Sequence, residues 1–263
     1  MPDTQDVSEM LHFAVDLIED AGEIAMKYFR TGLSVDNKSA RHFDPVTEAD
    51  RGIESFLREK ISARYPGHSI VGEEYGVTKG NSIKWYLDPI DGTRGFISGS
   101  PMWGSLIGVM ENETCLFGVV HQPFLKETFY GGAAGAFMRT IKDTRPISTR
   151  ATIEIGQAIL YCTHPAMFRD AKDKAAFDRV DSACQFSRFG SDCYGYCLLA
   201  AGFADLVIES GLNSYDIVPH IPIIEAAGGV VTDWEGGSAY KGGNVVAAAN
   251  AELHEKVLDL LKD

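Results

Sequence analysis

The sequence predicts a layered α/β protein built in two halves that part near residue 150. Three observations carry this expectation. Two amphipathic helix patterns open the chain, a series of short strand-like runs continues to about Met138, and strands alternate with helices after Pro146. The length of 263 residues allows one large domain or two fused halves, here residues 1–150 and 151–263 forming one compact unit. A chain of this size buries roughly 70–75% of its extended surface, so it needs neither disulfides nor a metal merely to fold.

The first helix is expected from about Ser8 to Phe29, because Met10, Ala14, Leu17, Ile18, Ala21, Ile24, Ala25 and Tyr28 recur every three or four residues; Gly32 stops it. A charged loop follows from Val35 to Asp44, closed by the turn pair Asp44-Pro45. A second helix runs from about Thr47 to Arg64, with Ile53, Phe56, Leu57 and Ile61 inward. Short runs at 69–71, 85–87, 105–110, 116–121, 128–130 and 136–138 then read as an antiparallel meander. The second half reads as strand 159–162, helix 168–180, strand 186–189, helix 193–201, strand 206–208 and a helix after Asp216. Strands 230–232 and 245–248 and a helix ending near Leu261 complete it.

The 45% hydrophobic fraction excludes wholesale disorder. A formal charge of −13 argues against a nucleic-acid binder or a protein docked on anionic membrane, both of which need a basic face. An acidic protein can hold phosphate only if metal ions, a local cation or a helix N-terminus supply positive charge. The five cysteines are odd in number and form no CxxC pair, which points to a reducing compartment; Cys193 and Cys197 read as buried packing. The N-terminus has no signal or transit character and no apolar run reaches 18 residues, so a cytoplasmic location is expected.

There is no GxSxG, GxxxxGK[ST], HExxH or GxGxxG motif. Asp88 begins no calcium loop, because Gly92 and Gly99 stand where that loop needs carboxylate or amide ligands. What stands out is Trp85-Tyr86-Leu87-Asp88-Pro89-Ile90-Asp91-Gly92-Thr93-Arg94. An apolar strand delivers Asp88, Pro89 stops it, and the chain turns at Asp91-Gly92. Two carboxylates three apart on such a turn can converge, and the N–H groups of Gly92 and Thr93 can face an anion if a helix begins there. Hard carboxylates without His or Cys suit Mg²⁺. The competing reading is plain turn chemistry. Glu73 stands at another strand end in Gly72-Glu73-Glu74. Asp216 reads equally as a helix-capping acid and Asp50 as a solvated first-turn acid.

Taken together, Asp88-Pro89-Ile90-Asp91-Gly92-Thr93, the Tyr215-Asp216-Ile217 segment with Glu225-Ala226-Ala227-Gly228-Gly229, and Gly72-Glu73-Glu74 resemble the inositol monophosphatase family of Mg²⁺-dependent phosphatases. The resemblance spans nearly the whole chain. Arg94, Phe96-Ile97-Ser98-Gly99, Pro101-Met102-Trp103-Gly104, His121-Gln122-Pro123 and Asp192-Cys193-Tyr194-Gly195-Tyr196-Cys197 are similar to the family's histidinol-phosphate phosphatase branch; Gly95 departs from the alanine expected there.

The resemblance implies an αβαβα sandwich. It also implies that Glu73, Asp88, the Ile90 carbonyl, Asp91 and Asp216 hold two or three Mg²⁺ ions. Thr93 and Asp50 would orient and deprotonate a metal-activated water for in-line attack, and Gly92 and Thr93 N–H groups would receive the phosphate. With Arg94, the acids Asp192 and Glu209 would line the substrate side. Glu209 alone discriminates poorly, since the inositol branch uses a glutamate there for a sugar hydroxyl. Asp192 discriminates better, its competing reading being a cap on the Cys193 helix. The implied substrate is a small phosphomonoester, foremost L-histidinol phosphate, with inositol 1-phosphate or another sugar phosphate as the alternative and a non-catalytic metal- or phosphate-binding module as the remote one. A homodimer is the implied assembly.

Overall fold

The computed structural model describes residues 4–32, 35–37 and 45–262. Helix α1 (Thr4–Tyr28) leads to a hairpin of β1 (Val35–Asn37) and β2 (Pro45–Thr47), then α2 (Glu48–Arg64). The expected Val35–Asp44 loop is therefore partly strand, and its remainder, Asp44 included, lies outside the described residues. Strands β3 (Ser69–Gly72), β4 (Gly76–Thr78) and β5 (Ile83–Asp91) follow, then the short helix α3 (Thr93–Ser98). Strands β6 (Gly104–Glu111), β7 (Thr114–Gln122), β8 (Glu127–Gly132), β9 (Gly135–Arg139) and β10 (Thr144–Pro146) complete an eight-stranded sheet ordered β10-β9-β8-β7-β6-β5-β3-β4. Next come β11 (Ile159–Cys162), α4 (Ala171–Ala183), β12 (Phe186–Phe189), α5 (Cys193–Ala200), β13 (Leu206–Leu212), α6 (Ser214–Ile217) and α7 (His220–Ala226). With β14 (Val230–Asp233), β15 (Gly243–Ala248) and α8 (Ala251–Lys262), they give a second sheet ordered β12-β11-β13-β15-β14.

The layers are α1 and α2, the large sheet, α5 to α7, the small sheet, then α4 and α8. This is the expected αβαβα sandwich. The outer face of the large sheet packs Ile18, Ile53, Leu57, Trp85, Trp103 and Phe117, all essentially inaccessible to water. Each such side chain contributes about 1.5–3 kcal/mol. The middle layer sits unusually close to the large sheet because Gly108, Gly118 and Gly131 pair in one row across β6, β7 and β8. A Cβ at Gly108 or Gly118 would strike the Pro219 backbone, and one at Gly131 would lie 2.7 Å from Ile223 Cα. That row seats α6, and with it Asp216, near the end of β5.

Two local expectations need correction. Pro89 does not end its strand: β5 continues to Asp91, and the pairing with β6 shifts register between Asp88 and Asp91. A bulge is where a residue without an N–H fits a sheet. The helix expected after Asp216 is two helices, α6 beginning before Asp216 and α7 after Pro219. The cysteines form no disulfide; burial pushes the Cys115 and Cys184 thiols up to about 12. No described helix is long and apolar enough to cross a membrane.

Candidate active site

The bulge turns β5 so that Asp88 and Asp91 face one region. Asp88 is 2% exposed, and its Oδ1 accepts the Ile90 N–H at 3.1 Å. Glu73 arrives from the parallel neighbour β3, its N–H donating to Leu87 O at 3.2 Å, which sets its side chain beside Asp88. Asp216 comes from α6, where its Oδ2 accepts the Asn213 N–H at 2.7 Å. The capping role expected as its alternative is therefore real but occupies one oxygen. Oxygens of Asp88, Asp91 and Asp216 all lie within 4.8 Å of one another. Asp91 Oδ2 also accepts the Cys193 N–H at 2.7 Å, which ties this end of the large sheet to α5.

After Asp91, Gly92 adopts φ 82° and opens α3. A side chain there is excluded twice, by the left-handed backbone and by Met102 O and Asp192, 3.0 and 3.2 Å from any added Cβ. The Thr93 hydroxyl donates to the Ile90 carbonyl at 3.0 Å. Asp50 is fully buried rather than solvated: it is the acid of the α2 capping box, its Oδ2 accepting from Thr47 N (2.8 Å) and Thr47 Oγ1 (2.6 Å). Helix α3 packs against β2, the strand that ends at Thr47.

Beside the carboxylates lies a cavity of about 120 Å³ whose lining includes Asp91, Asp216, Asp192, Glu209, Tyr196 and His220. It adjoins a larger cleft of about 670 Å³ lined in part by Arg94; Thr163 and Met167 border both. Asp192 precedes α5 but makes no capping bond, and it holds φ 45°, ψ −137°, a conformation costly for a residue with a Cβ. The cap reading of Asp192 therefore fails, and its carboxyl is left for the cavity. Glu209 is more than a strand-end acid. It accepts from Thr163 N (2.9 Å), Thr163 Oγ1 (2.5 Å) and Tyr196 OH (3.1 Å).

Sequence reasoning missed Thr163 and His220, and gave Tyr196 no role of its own within the 192–197 segment. The His220 ring stacks on Tyr196 at 4.5 Å, and its Nε2 is sealed without a hydrogen-bond partner. Only the four-residue step from Asp216 to His220 hinted at a shared helical face, and Pro219 masks it.

The electrostatics of this region are one-sided. Burial raises the carboxyl pKa of Asp88 well above the usual range, and Glu73, Asp91 and Asp216 raise it further. Asp216 is raised by burial and then by Asp91, against the Asn213 N–H. Burial raises Asp91 against the Cys193 N–H. Asp192 is pushed up to about 8 by burial, Asp91 and Glu209, with Arg94 opposing. Burial pushes Glu209 up to about 7 although Thr163 hydrogen-bonds it. Desolvated oxygens with no lysine among them fit a hard divalent cation, which would remove the repulsion.

A stability prediction follows from the sign of these shifts. At these carboxyls the folded protein binds more protons than the unfolded chain between the ordinary carboxyl pKa and the raised values, so they lower stability as pH rises; His121 and His220, held by burial at about 4 and about 3, oppose this below about pH 6.5. In EDTA the melting temperature should decrease from about pH 6.5 to about pH 8, where only the raised carboxyls still titrate, and added Mg²⁺ should raise it more at the higher pH. Calorimetry that found metal-free stability rising over this range would contradict the assignment.

A five-layer sandwich closed around such a cluster suits a metal-dependent hydrolase. The sequence matches the inositol monophosphatase family across residues 6–263, and the chain belongs to that family. It is 38% identical over 258 residues to a chloroplastic bifunctional phosphatase of Arabidopsis thaliana, covering 94% of this chain and 73% of that protein. It is 34% identical over 251 residues to a histidinol-phosphatase of Chlorobaculum parvum, covering 94% and 95% of the two chains. Among solved structures, an inositol monophosphatase from Zymomonas mobilis superposes with a TM-score of 0.86 at 33% identity, over 97% of this chain and 98% of that one.

Proposed function

We propose that this phosphatase hydrolyses L-histidinol phosphate with Mg²⁺ as its cofactor. The observation that carries the substrate reading is the second acidic wall, Asp192 and Glu209, which share one cavity with Asp91 and Asp216. Two or three magnesium ions would satisfy the metal carboxylates, held by Glu73, Asp88, Asp91, Asp216 and the Ile90 carbonyl. They would not satisfy an acidic wall on the leaving-group side. A primary ammonium and a partly protonated imidazole would.

Bound magnesium supplies positive charge for the phosphate, acidifies water and stabilises the leaving alkoxide. The chain's own residues do the rest. Thr93 donates its hydroxyl hydrogen bond to Ile90 O, so its oxygen is left to accept from, and thereby aim, the attacking water. The Ile90 carbonyl keeps a second lone pair for metal. Asp50, anchored through the Thr47 cap, takes the water's proton. The N–H groups of Gly92 and Thr93 receive the phosphate oxygens, and Arg94, at the mouth, draws the anion inward. Asp192 and Glu209 hold the cationic end.

A second reading, inositol 1-phosphate, is favoured by Glu209 as a hydroxyl acceptor and by the Zymomonas structure. Phosphate release from histidinol phosphate, inositol 1-phosphate and p-nitrophenyl phosphate, in Mg²⁺ and in EDTA, separates the possibilities. The expected result is release only with Mg²⁺ and the highest kcat/KM on histidinol phosphate. A higher value on inositol 1-phosphate transfers the assignment, and no release on any substrate removes the enzyme reading.

A further inference from the structure

Glu73 opens the turn between β3 and β4, tied to β5 through its own N–H and closed by the pairing of Gly72 with Gly76. Strand β4 after the turn is three exposed residues at the sheet edge, and Tyr75 within the turn is 54% exposed. Two side chains of α2 brace the turn from outside the sheet. Glu54, buried completely, accepts the N–H of Glu74 on Oε2 at 2.6 Å and that of Tyr75 on Oε1 at 3.2 Å. Arg58, one helical turn on, pairs with Glu54 through Nε at 2.7 Å. Its other nitrogens donate to Thr78 Oγ1 at 2.9 Å and to Gly76 O. These two side chains therefore engage four of the five residues that follow Glu73. A Cβ at Gly72 would lie inside the Glu54 carboxylate, so the residue before Glu73 makes room for the contact.

We propose that Glu54 and Arg58 are positioning residues that present Glu73 to the metal. The inference rests on the reading of Glu73 as a metal ligand. Arg58 has a second effect: it neutralises Glu54, so the supporting carboxylate adds no net charge to a cluster already rich in negative charge. Together they convert a weak sheet edge into a rigid ligand arm, and their loss should act on metal affinity.

Calorimetric titration of Mg²⁺ without substrate into the unaltered protein, Glu54→Gln, Glu73→Gln and the double variant tests this. Glu54→Gln should weaken the tightest Mg²⁺ site by roughly tenfold or more. In the Glu73→Gln background the same change should cost less than about twofold, because the ligand it positions is already lost. The Mg²⁺ needed for half-maximal rate should rise in step, while kcat at saturating Mg²⁺ changes far less. If circular dichroism shows that Glu54→Gln does not fold, Arg58→Lys serves instead, since it keeps the charge on Glu54 but loses the fork that reaches Thr78 and Gly76. Unchanged Mg²⁺ binding, or a loss equally large with and without Glu73, would overturn the proposal. No Mg²⁺ binding by the unaltered protein would instead overturn the metal reading of Glu73, and the proposal with it.

Discussion

Replacing Asp88 by asparagine should lower phosphate release at saturating Mg²⁺ by about 10³-fold or more. Asparagine keeps the shape of the side chain, and its carbonyl oxygen can still accept the Ile90 N–H, so the bulge that aims Asp91 survives. What is lost is charge, at the residue that Glu73, Asp91 and Asp216 all act upon. The same loss should stabilise the metal-free protein, because one buried like charge fewer remains. The combination is diagnostic: melting temperature in EDTA rises, the Mg²⁺-induced increase shrinks, and turnover collapses. A substitution that merely damaged a turn would lower both stability and activity. Near-normal turnover would make Asp88 a turn residue only.

Much of the architecture was legible in short-range patterns. The three- and four-residue spacing in α1 and the short apolar runs between turn residues in the meander are local signals, and the cores they build follow them. The Asp88–Thr93 segment was legible for a related reason: its carboxylates, its proline and its glycine lie within six residues and shape one turn. The break at Pro219 was harder to see, because apolar residues continue through it at helical spacing. Pro89 misled in the opposite direction, since a bulge lets a strand absorb a proline that a regular ladder rejects.

Residues brought in by tertiary contact left almost no signal. Thr163 and Tyr196 reach Glu209 from different elements, and the Gly108–Gly118–Gly131 row appears only once three strands are in register. Glu54 and Arg58 stand four apart on α2, a spacing that by itself marks neither as part of a site. Their burial beneath the Glu73 turn gives them another meaning.

On the proposed function Asp192 carries the choice of substrate, so Asp192→Asn should cost roughly 10- to 100-fold in kcat/KM on histidinol phosphate. A charge-assisted hydrogen bond to an ammonium contributes about 1.5–3 kcal/mol, and this is the interaction removed. The residue makes no capping bond, so its carboxylate is not needed to start α5. Its pKa is pushed up to about 8 by burial, Asp91 and Glu209 against Arg94, so its charged form is the one a nearby cation would favour. The proposed substrate brings such a cation, whereas p-nitrophenyl phosphate and inositol 1-phosphate bring none. The most direct measurement is therefore the ratio of kcat/KM on histidinol phosphate to that on p-nitrophenyl phosphate, taken with Mg²⁺ for the unaltered protein and for Asp192→Asn. The account predicts that this ratio falls about tenfold or more while the p-nitrophenyl phosphate value stays nearly constant. Equal losses on both substrates, leaving the ratio unchanged, would contradict it.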